Sequence, residues 1–201
     1  MQPFAKAAIG LIALVGTSAC GAANSAAVRP SGCNPPLVRA VGDSMRKTIH
    51  DGDLLCTISV SSTFVRGDIV VLRPPSDRSI LLIKRIIALP GDVIEIDGSK
   101  SPAEVRIEPN GKPPFELLAE PYVTEPWTAM SSCCQSNGAS SATAQPTSVP
   151  NGFYFVMGDD RNRSNDSRSF GFVPAQYITA LVTSDQGNAG LYSALPSLAT
   201  T

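Results

Sequence analysis

The chain alternates short apolar runs with turns rich in glycine, proline and polar residues. The apolar runs contain many β-branched residues and cover positions 54–60, 69–72, 93–96, 105–108 and 153–157. Runs of this length, bounded by turn residues, are typical of β-strands. No segment keeps the 3.6-residue period of a long amphipathic helix. The pattern therefore predicts a mainly β protein.

A different pattern occupies the N-terminus. Lys6 precedes an uncharged stretch over residues 7–27, whose strongest apolar run is 9–15. The uncharged stretch has about the ~20 residues that are needed to cross a bilayer. Three interpretations stay open: an uncleaved signal anchor, a cleaved signal peptide, and a lipoprotein signal in which Cys20 becomes acylated.

Composition narrows the class of the rest of the chain, which is long enough for one domain with its own core. The net charge is −1 and aromatic residues make up 6%, so nothing indicates nucleic-acid binding.

The cysteines are Cys20, Cys33, Cys56, Cys133 and Cys134. In an exported protein they would face an oxidising compartment that permits disulfides, but their spacing does not give the pairing. No second cluster of cysteine or histidine completes a metal site, so we expect no metal and no cofactor.

Ser44 and Lys84 are the candidate catalytic residues. The only histidine, His50, follows Ser44 by six positions and is interpreted as a polar turn residue, so a lysine is the more economical base. A neutral lysine amine can accept a serine proton if its pKa falls toward the working pH. Burial lowers a lysine pKa by up to ~3–5 units, and apolar runs at 80–83 and 86–89 flank Lys84. The alternative is that Lys84 marks the exposed edge of a core strand.

A third pattern follows the apolar run at 153–157. Residues 158–168 are mainly aspartate, arginine, asparagine and serine. Their spacing does not match a calcium-binding EF-hand loop, and no glutamate closes the loop. The alternation of acidic and basic side chains favours a network of salt bridges.

Taken in order, the three patterns resemble the bacterial type I signal peptidase family, membrane-bound serine proteases with a Ser-Lys dyad that remove signal peptides from exported proteins. The family motif Ser-Met-x-Pro-Thr-Leu is matched by residues 44–49. The motif Lys-Arg-x-x-Gly-x-Pro-Gly-Asp is matched by residues 84–92, and Gly-Asp-Asn-Arg-x-Asn-Ser-x-Asp-Ser-Arg by residues 158–168. Residues 66–71 resemble the family strand between the serine and the lysine. The resemblance covers about residues 38–175.

The resemblance implies a role for each matched polar residue at the site. Ser44 would be the nucleophile and Lys84 the general base, with Ser164 orienting the lysine amine through a hydrogen bond. Some family members carry a hydroxyl at the position of Gly42 that helps to bind the oxyanion. Here the backbone N–H of Ser44 would carry more of that role, and the loss of one donor can cost ~10²–10³ in rate.

The resemblance also implies two supporting sets of residues. Two ion pairs near the site would join Asp159 to Arg85 and Asp166 to Arg168. The pocket for small substrate side chains at positions −1 and −3 would be lined by Met45, Ile49, Leu82 and Ile83.

The chain departs from the family motifs at four positions. Lys47 replaces a proline, Ala88 a glycine, and Asp160 and Arg163 each an asparagine. The missing proline loosens the turn after the nucleophile, since proline contributes ~0.4–1 kcal/mol by restricting the unfolded chain. Lys47 also places a charge near the membrane face.

The resemblance implies the architecture as well. An antiparallel-sheet catalytic core over 36–96 and 151–185 would be interrupted by a smaller β insertion over 97–150. A signal anchor or signal segment over 1–27 would precede the core, and a tail over 186–201 would follow it. The composition of 131–150, rich in serine, alanine, threonine and glutamine, predicts a flexible loop in the insertion.

The implied function is that of a membrane-anchored endopeptidase of the inner (plasma) membrane, single-pass, with its catalytic domain facing the periplasm or outside. Its partners would be exported preproteins and membrane lipid, with no nucleic acid, and we expect a monomer. The family's need for a tether and the inside-positive polarity set by Lys6 favour the uncleaved anchor. Two other functions stay open: a specialised maturation peptidase for a conjugation or pilus subunit, and an inactive paralogue that binds peptides.

Overall fold

The computed structural model describes residues 37–59, 63–128 and 132–183. Within these residues it has thirteen β-strands, one short α-helix and two short 3₁₀ segments. The helix is α1 (Ser167–Phe170). The prediction of a mainly β protein is confirmed. The strands in chain order are β1 (Leu37–Arg39), β2 (Leu54–Ser59), β3 (Ile69–Leu72), β4 (Leu82–Ala88), β5 (Val93–Asp97), β6 (Glu104–Glu108), β7 (Glu116–Leu117), β8 (Ser132–Cys133), β9 (Ser140–Ser141), β10 (Thr147–Ser148), β11 (Phe153–Met157), β12 (Val173–Pro174) and β13 (Ile178–Thr183).

Seven of these strands form one sheet, which we name the core sheet, in the order β1-β2-β13-β3-β4-β11-β12. All neighbouring strands in it are antiparallel. Its central strands β3 and β4 have apolar side chains toward both faces, and every residue of β3 is buried. A strand covered on both faces reads as a continuous apolar run, which is why the sequence of β3 shows no alternation.

A separate apolar cluster covers each face of the core sheet. One cluster takes Ile69 and Val71 of β3 together with Met45 and Ile49 from the segment between β1 and β2. The other cluster is formed by residues of β3, β4, β11, β12 and β13, with Phe64 packed edge to face on Tyr154. Because Met45 and Ile49 are almost fully buried, the segment that carries Ser44 is anchored to the core sheet by packing.

The other strands form a second antiparallel sheet, which we name the small sheet, in the order β7-β6-β5-β8-β9, with β10 also pairing with β5. Buried and partly exposed residues alternate along β5 and β6, as expected for a sheet with one face in the core. Ile94, Ile96 and Ile107 on the buried face share a cluster with Phe155 and Met157 of the core sheet. The two sheets therefore have a common core.

Strand pairing assigns residues to the two sheets differently from the predicted division at position 97. β5, which ends at Asp97, pairs with β6, β8 and β10 and so belongs to the small sheet. The extent of the catalytic core and of the insertion stays a prediction. The predicted signal anchor over 1–27 and the predicted tail over 186–201 lie outside the described residues. In the part that is described, no helix is long and apolar enough to cross a membrane.

The segment expected to be a flexible loop, 131–150, contains three two-residue strands in its described part. β8, β9 and β10 all lie within it. Cys133 and Cys134 are joined by a disulfide and are almost fully buried in the core that both sheets share. Composition alone does not indicate these strands, because they form by backbone pairing with β5 or with each other, beside two buried cysteines. The flexibility of the segment stays a prediction.

The shared core predicts that both sheets unfold together. We expect Ile107→Ala, at a fully buried position of the small sheet, to lower the free energy of unfolding by about 2–5 kcal/mol. Urea unfolding followed by far-UV circular dichroism and by the fluorescence of Trp127, the chain's one tryptophan, should give coincident transitions. Leu117→Ala, at a half-exposed position, serves as the control with little loss. Two separate transitions would contradict the shared core.

Candidate active site

The turn that carries Ser44 lies between β1 and β2 and is closed by its own backbone. The N–H of Arg46 donates to Asp43, and the N–H groups of Thr48 and Ile49 both donate to the carbonyl of Met45. The carbonyl of Ser44 accepts from the N–H of Asp160 at 3.0 Å. The turn that carries Ser44 is therefore held by the packing of Met45 and Ile49 on the core sheet and by a backbone hydrogen bond from Asp160.

Lys84 lies in the middle of β4, opposite Val70 of β3, and its side chain is almost fully buried. Its Nζ is 2.7 Å from Ser44 Oγ and 2.9 Å from the carbonyl oxygen of Ile83. Burial lowers the pKa of Lys84 to about 8, although the negative charges of Asp166 and Asp159 partly oppose this. A neutral amine can donate to Ile83 while its lone pair accepts the Ser44 proton. The structure does not place Lys84 at an exposed strand edge.

Arg85, the next residue of β4, makes a buried ion pair with Asp159. Its Nε and one terminal nitrogen donate to the two carboxylate oxygens at 2.9 and 2.7 Å. The other terminal nitrogen donates to the carbonyl of Gly67 at 2.9 Å. The guanidinium also lies over the ring of Tyr122, 4.0 Å from its centroid. All three guanidinium nitrogens thus have an acceptor, and one face of the cation lies against an aromatic ring.

Asp166 and Arg168 also form an ion pair, at the start of α1. Two guanidinium nitrogens of Arg168 donate to the two carboxylate oxygens at 2.8 Å each. Asp166 is fully buried and also accepts from the N–H of Gly158 at 3.1 Å. Burial by itself would raise the pKa of Asp166, but the hydrogen bonds and charge of Arg168, together with hydrogen bonds from Ser164 and the N–H of Gly158, outweigh burial and lower it. Asp166 therefore stays a carboxylate close to Lys84.

Ser164 lies next to the serine turn, but it does not contact Lys84 through a hydrogen bond in this structure. A Cβ on Gly158 would lie 2.3 Å from Ser164 Oγ and 2.5 Å from the carbonyl oxygen of Ser44. This close approach requires glycine at position 158. The Oγ atom of Ser164 is buried, and its hydroxyl helps to lower the pKa of Asp166. The predicted role of Ser164 as the lysine-orienting residue stays a prediction.

A cavity of about 260 Å³ opens beside Ser44 and Lys84. All four residues that were predicted to form the substrate pocket contribute to its lining, as does Gly42. The lining residues are Val38, Arg39, Ala40, Val41, Gly42, Ser44, Met45, Ile49, Val71, Leu81, Leu82, Ile83 and Lys84. Residues of β1 line one side of the cavity, and residues of the first half of β4 line the opposite side. The cavity therefore lies between these two strands.

Of the backbone N–H groups of Gly42 and Ser44, one already has a hydrogen-bond acceptor and the other has none among the described residues. The N–H of Gly42 donates to Asp51 Oδ1 at 2.8 Å. Among the described residues, the N–H of Ser44 donates to no acceptor. The second donor is therefore the one available to an oxygen bound in the cavity.

Two of the departures from the family motifs have ion-pair partners. Lys47 contacts Glu125 of the segment between β7 and β8. Asp160 is paired with Arg46, with 2.5 Å between Nε and the carboxylate oxygen. The two cations that follow Met45 thus reach two different parts of the chain. A third departure, Ala88, is fully buried in the shared core.

The sequence analysis missed two polar links that hold the site together. Thr48 Oγ1 donates to Asp159 at 2.5 Å, joining the serine turn to the Arg85 ion pair. Arg161 forms a buried ion pair with Glu120, which precedes the partly buried Val123 and the buried Trp127 of the same segment. The threonine of the serine motif was a signal for the first link. Nothing in the sequence around Glu120 marks it as the partner of Arg161.

Comparison with known proteins gives consistent matches. A family model described as signal peptidase, peptidase S26, matches residues 12–184. Probable signal peptidase I-1 of Synechocystis sp. is 36% identical over 146 residues, which are 68% of this chain and 63% of that protein. Signal peptidase I of Bacillus licheniformis is 35% identical over 132 residues, 64% of this chain and 63% of that protein. The alignments thus span less than two thirds of the length of these relatives.

One solved structure is also similar. The crystal structure of a signal peptidase I from Enterococcus faecalis V583 matches with a TM-score of 0.44 and 30% sequence identity. The match covers 61% of this chain and 98% of that chain.

The buried Arg85 ion pair makes a stability prediction. Asp159→Asn leaves the fully buried guanidinium without an opposing charge, so we expect the free energy of unfolding to fall by about 3–5 kcal/mol. The matched control is Asp77→Asn, in an exposed turn where the carboxylate accepts only from Ser79, and this variant should keep the stability of the parent. Urea unfolding measures both. Equal stability of the two variants would show that Arg85 does not depend on Asp159.

Proposed function

The chain belongs to the signal peptidase family peptidase S26, and on that premise we propose that it is a serine endopeptidase that removes signal peptides from exported preproteins. The observation that carries the proposal is the contact between Lys84 Nζ and Ser44 Oγ at 2.7 Å, made by a lysine whose pKa is lowered to about 8. A buried amine next to a serine hydroxyl has the geometry and the basicity of a general base.

The proposed reaction uses these two side chains in turn. Ser44 Oγ attacks the carbonyl carbon of the scissile bond while Lys84 takes the hydroxyl proton. Lys84 then gives this proton to the leaving amine and afterwards activates the water that releases the acyl group from Ser44. The developing oxyanion is bound by the N–H of Ser44, since the N–H of Gly42 is already used by Asp51.

The surrounding groups keep Lys84 in place. The Arg85–Asp159 and Asp166–Arg168 ion pairs fix the charges that surround the amine. The buried hydroxyl of Ser164 lies beside Gly158 and the backbone of Ser44. We assign Ser164 to orienting the lysine once a substrate fills the cavity. These residues act on the base and do not touch the substrate.

The substrate would bind as an extended strand in the cavity between β1 and the first half of β4. Among the described residues, both strands present an unpaired edge there, because β1 ends the core sheet and β11 pairs with β4 at Arg85, Ile86 and Ala88. Strand addition leaves alternate side chains pointing into the cavity. A volume of about 260 Å³ suits small side chains at −1 and −3, above Met45, Ile49 and Ile83.

The membrane is the second proposed partner. Val41 and Leu81 are 83% and 51% exposed at the mouth of the cavity, where apolar side chains would contact lipid. We propose that the segment 1–27 anchors the chain as a single span, with the catalytic domain on the outer or periplasmic side. The preprotein, still in the membrane, would then present its cleavage site to Ser44.

The dyad is tested by cleavage of a preprotein with an Ala-x-Ala site, using the full chain in a neutral detergent. We expect Ser44→Ala and Lys84→Met each to lower kcat by more than about 10³-fold, because the two residues act as one unit. Lys112→Met, at an exposed lysine outside the cavity, is the matched control with unchanged activity. Substantial cleavage by either dyad variant would exclude the dyad. A parent that binds the preprotein but never cleaves it would favour the inactive paralogue.

The lowered pKa of Lys84 determines how peptide cleavage depends on pH. Only the neutral amine can accept the serine proton, so kcat/KM should rise with pH with a midpoint near 8 and then level off. The measurement is kcat/KM for one peptide from pH 6 to 10, with circular dichroism at each pH to show that the chain stays folded. A midpoint near the ordinary lysine value of about 10.5, or no rise at all, would contradict Lys84 as the base.

A further inference from the structure

The cavity beside Ser44 has charged groups at two positions only. Of the residues that line it, Arg39 and Lys84 are charged and none is acidic. Lys84 is almost fully buried and its amine is occupied by Ser44 and Ile83. Arg39 is exposed at the rim of the cavity. Among the described residues that line the cavity, Arg39 therefore carries the one charge outside the dyad.

The strand pattern of β1 places Arg39 on a defined side of the cavity. Val38 and Ala40 pack into the cluster that contains Met45 and Ile49, whereas Arg39 between them is exposed. Residues directly opposite each other on neighbouring strands point to the same face of a sheet. A peptide strand along β1 with its −1 and −3 side chains in the cavity therefore has its −2 side chain on the face of Arg39.

The guanidinium of Arg39 has free capacity for an anion. One terminal nitrogen donates to the carbonyl of Gly52 at 2.9 Å, which holds the side chain at the rim. Among the described residues, no carboxylate forms an ion pair with it: the nearby Asp51 accepts from Gly42, and Asp53 accepts from His50. A guanidinium has five N–H donors arranged as a fork that fits a carboxylate.

We propose that Arg39 is a specificity-determining residue that binds a carboxylate side chain at substrate position −2 and disfavours a cation there. This inference rests on the proposed peptidase function. The proposed ion pair between Arg39 and the −2 carboxylate lies at the exposed rim of the cavity, where an ion pair contributes little. It therefore changes the relative rates at which different peptides are cleaved, and cleavage itself does not require it.

The test uses three peptides that differ only at −2, with Ala-Glu-Ala, Ala-Gln-Ala or Ala-Lys-Ala before the cleaved bond. For the full chain in neutral detergent at low salt, we expect kcat/KM to be about two- to fivefold higher for the glutamate peptide than for the lysine peptide. The ratio should fall to about one in Arg39→Gln and invert in Arg39→Glu. Salt near 1 M should reduce the preference of the parent, because it screens exposed charges.

The control for net charge is Arg106→Gln, at a partly exposed arginine of β6 outside the cavity, which should keep the preference of the parent. Cleavage of all three peptides at equal rates by the parent would overturn the inference and leave the proposed function intact. An equal loss for all three peptides in Arg39→Gln would show that Arg39 contacts the peptide backbone, which also overturns it. Failure to cleave any of the peptides would overturn the proposed function and this inference with it.

Discussion

The charge on Arg85 must be neutralised inside the protein, and the arrangement of the site depends on how this is done. A guanidinium does not lose its proton in a protein, and Arg85 is fully buried. Asp159, the carbonyl of Gly67 and the ring of Tyr122 surround it. Because Arg85 follows Lys84 on β4, this fixes the strand from which the lysine projects. Because Asp159 also accepts from Thr48, the same carboxylate holds the serine turn.

The basicity of Lys84 results from two opposing effects. Burial favours the neutral amine, while the negative charges of Asp166 and Asp159 favour the protonated one. Each carboxylate is paired with an arginine, Asp159 with Arg85 and Asp166 with Arg168. The ion pairs keep both carboxylates from acting as unpaired charges near the amine. Burial therefore dominates, and the lysine can be a base near neutral pH.

The small sheet contributes more to the site than a peripheral insertion would. The buried Arg161–Glu120 pair joins the third motif to the segment between β7 and β8, and Trp127 of that segment lies against Arg161 and Arg168. Lys47 reaches Glu125 of the same segment, and Arg46 reaches Asp160. Where the family motif has a proline after the serine, this chain has Lys47, whose ion-pair partner Glu125 lies on another segment. The turn is thus restrained by ion pairs with distant parts of the chain, whereas a proline would restrain it through its own backbone ring.

The sequence by itself determined the strands with continuous or alternating apolar residues, the family, and the identity of Ser44 and Lys84 as a pair. These features are local or are written in ordered motifs, and β-strand runs such as 69–72 need no distant information. Only the tertiary structure decided which strands pair, how the described part of 131–150 joins the small sheet, and which acids face Arg46, Lys47 and Arg161. The partners Lys47–Glu125 and Arg161–Glu120 are 78 and 41 residues apart. No periodicity predicts such contacts, because they depend on how the two sheets pack around their common core.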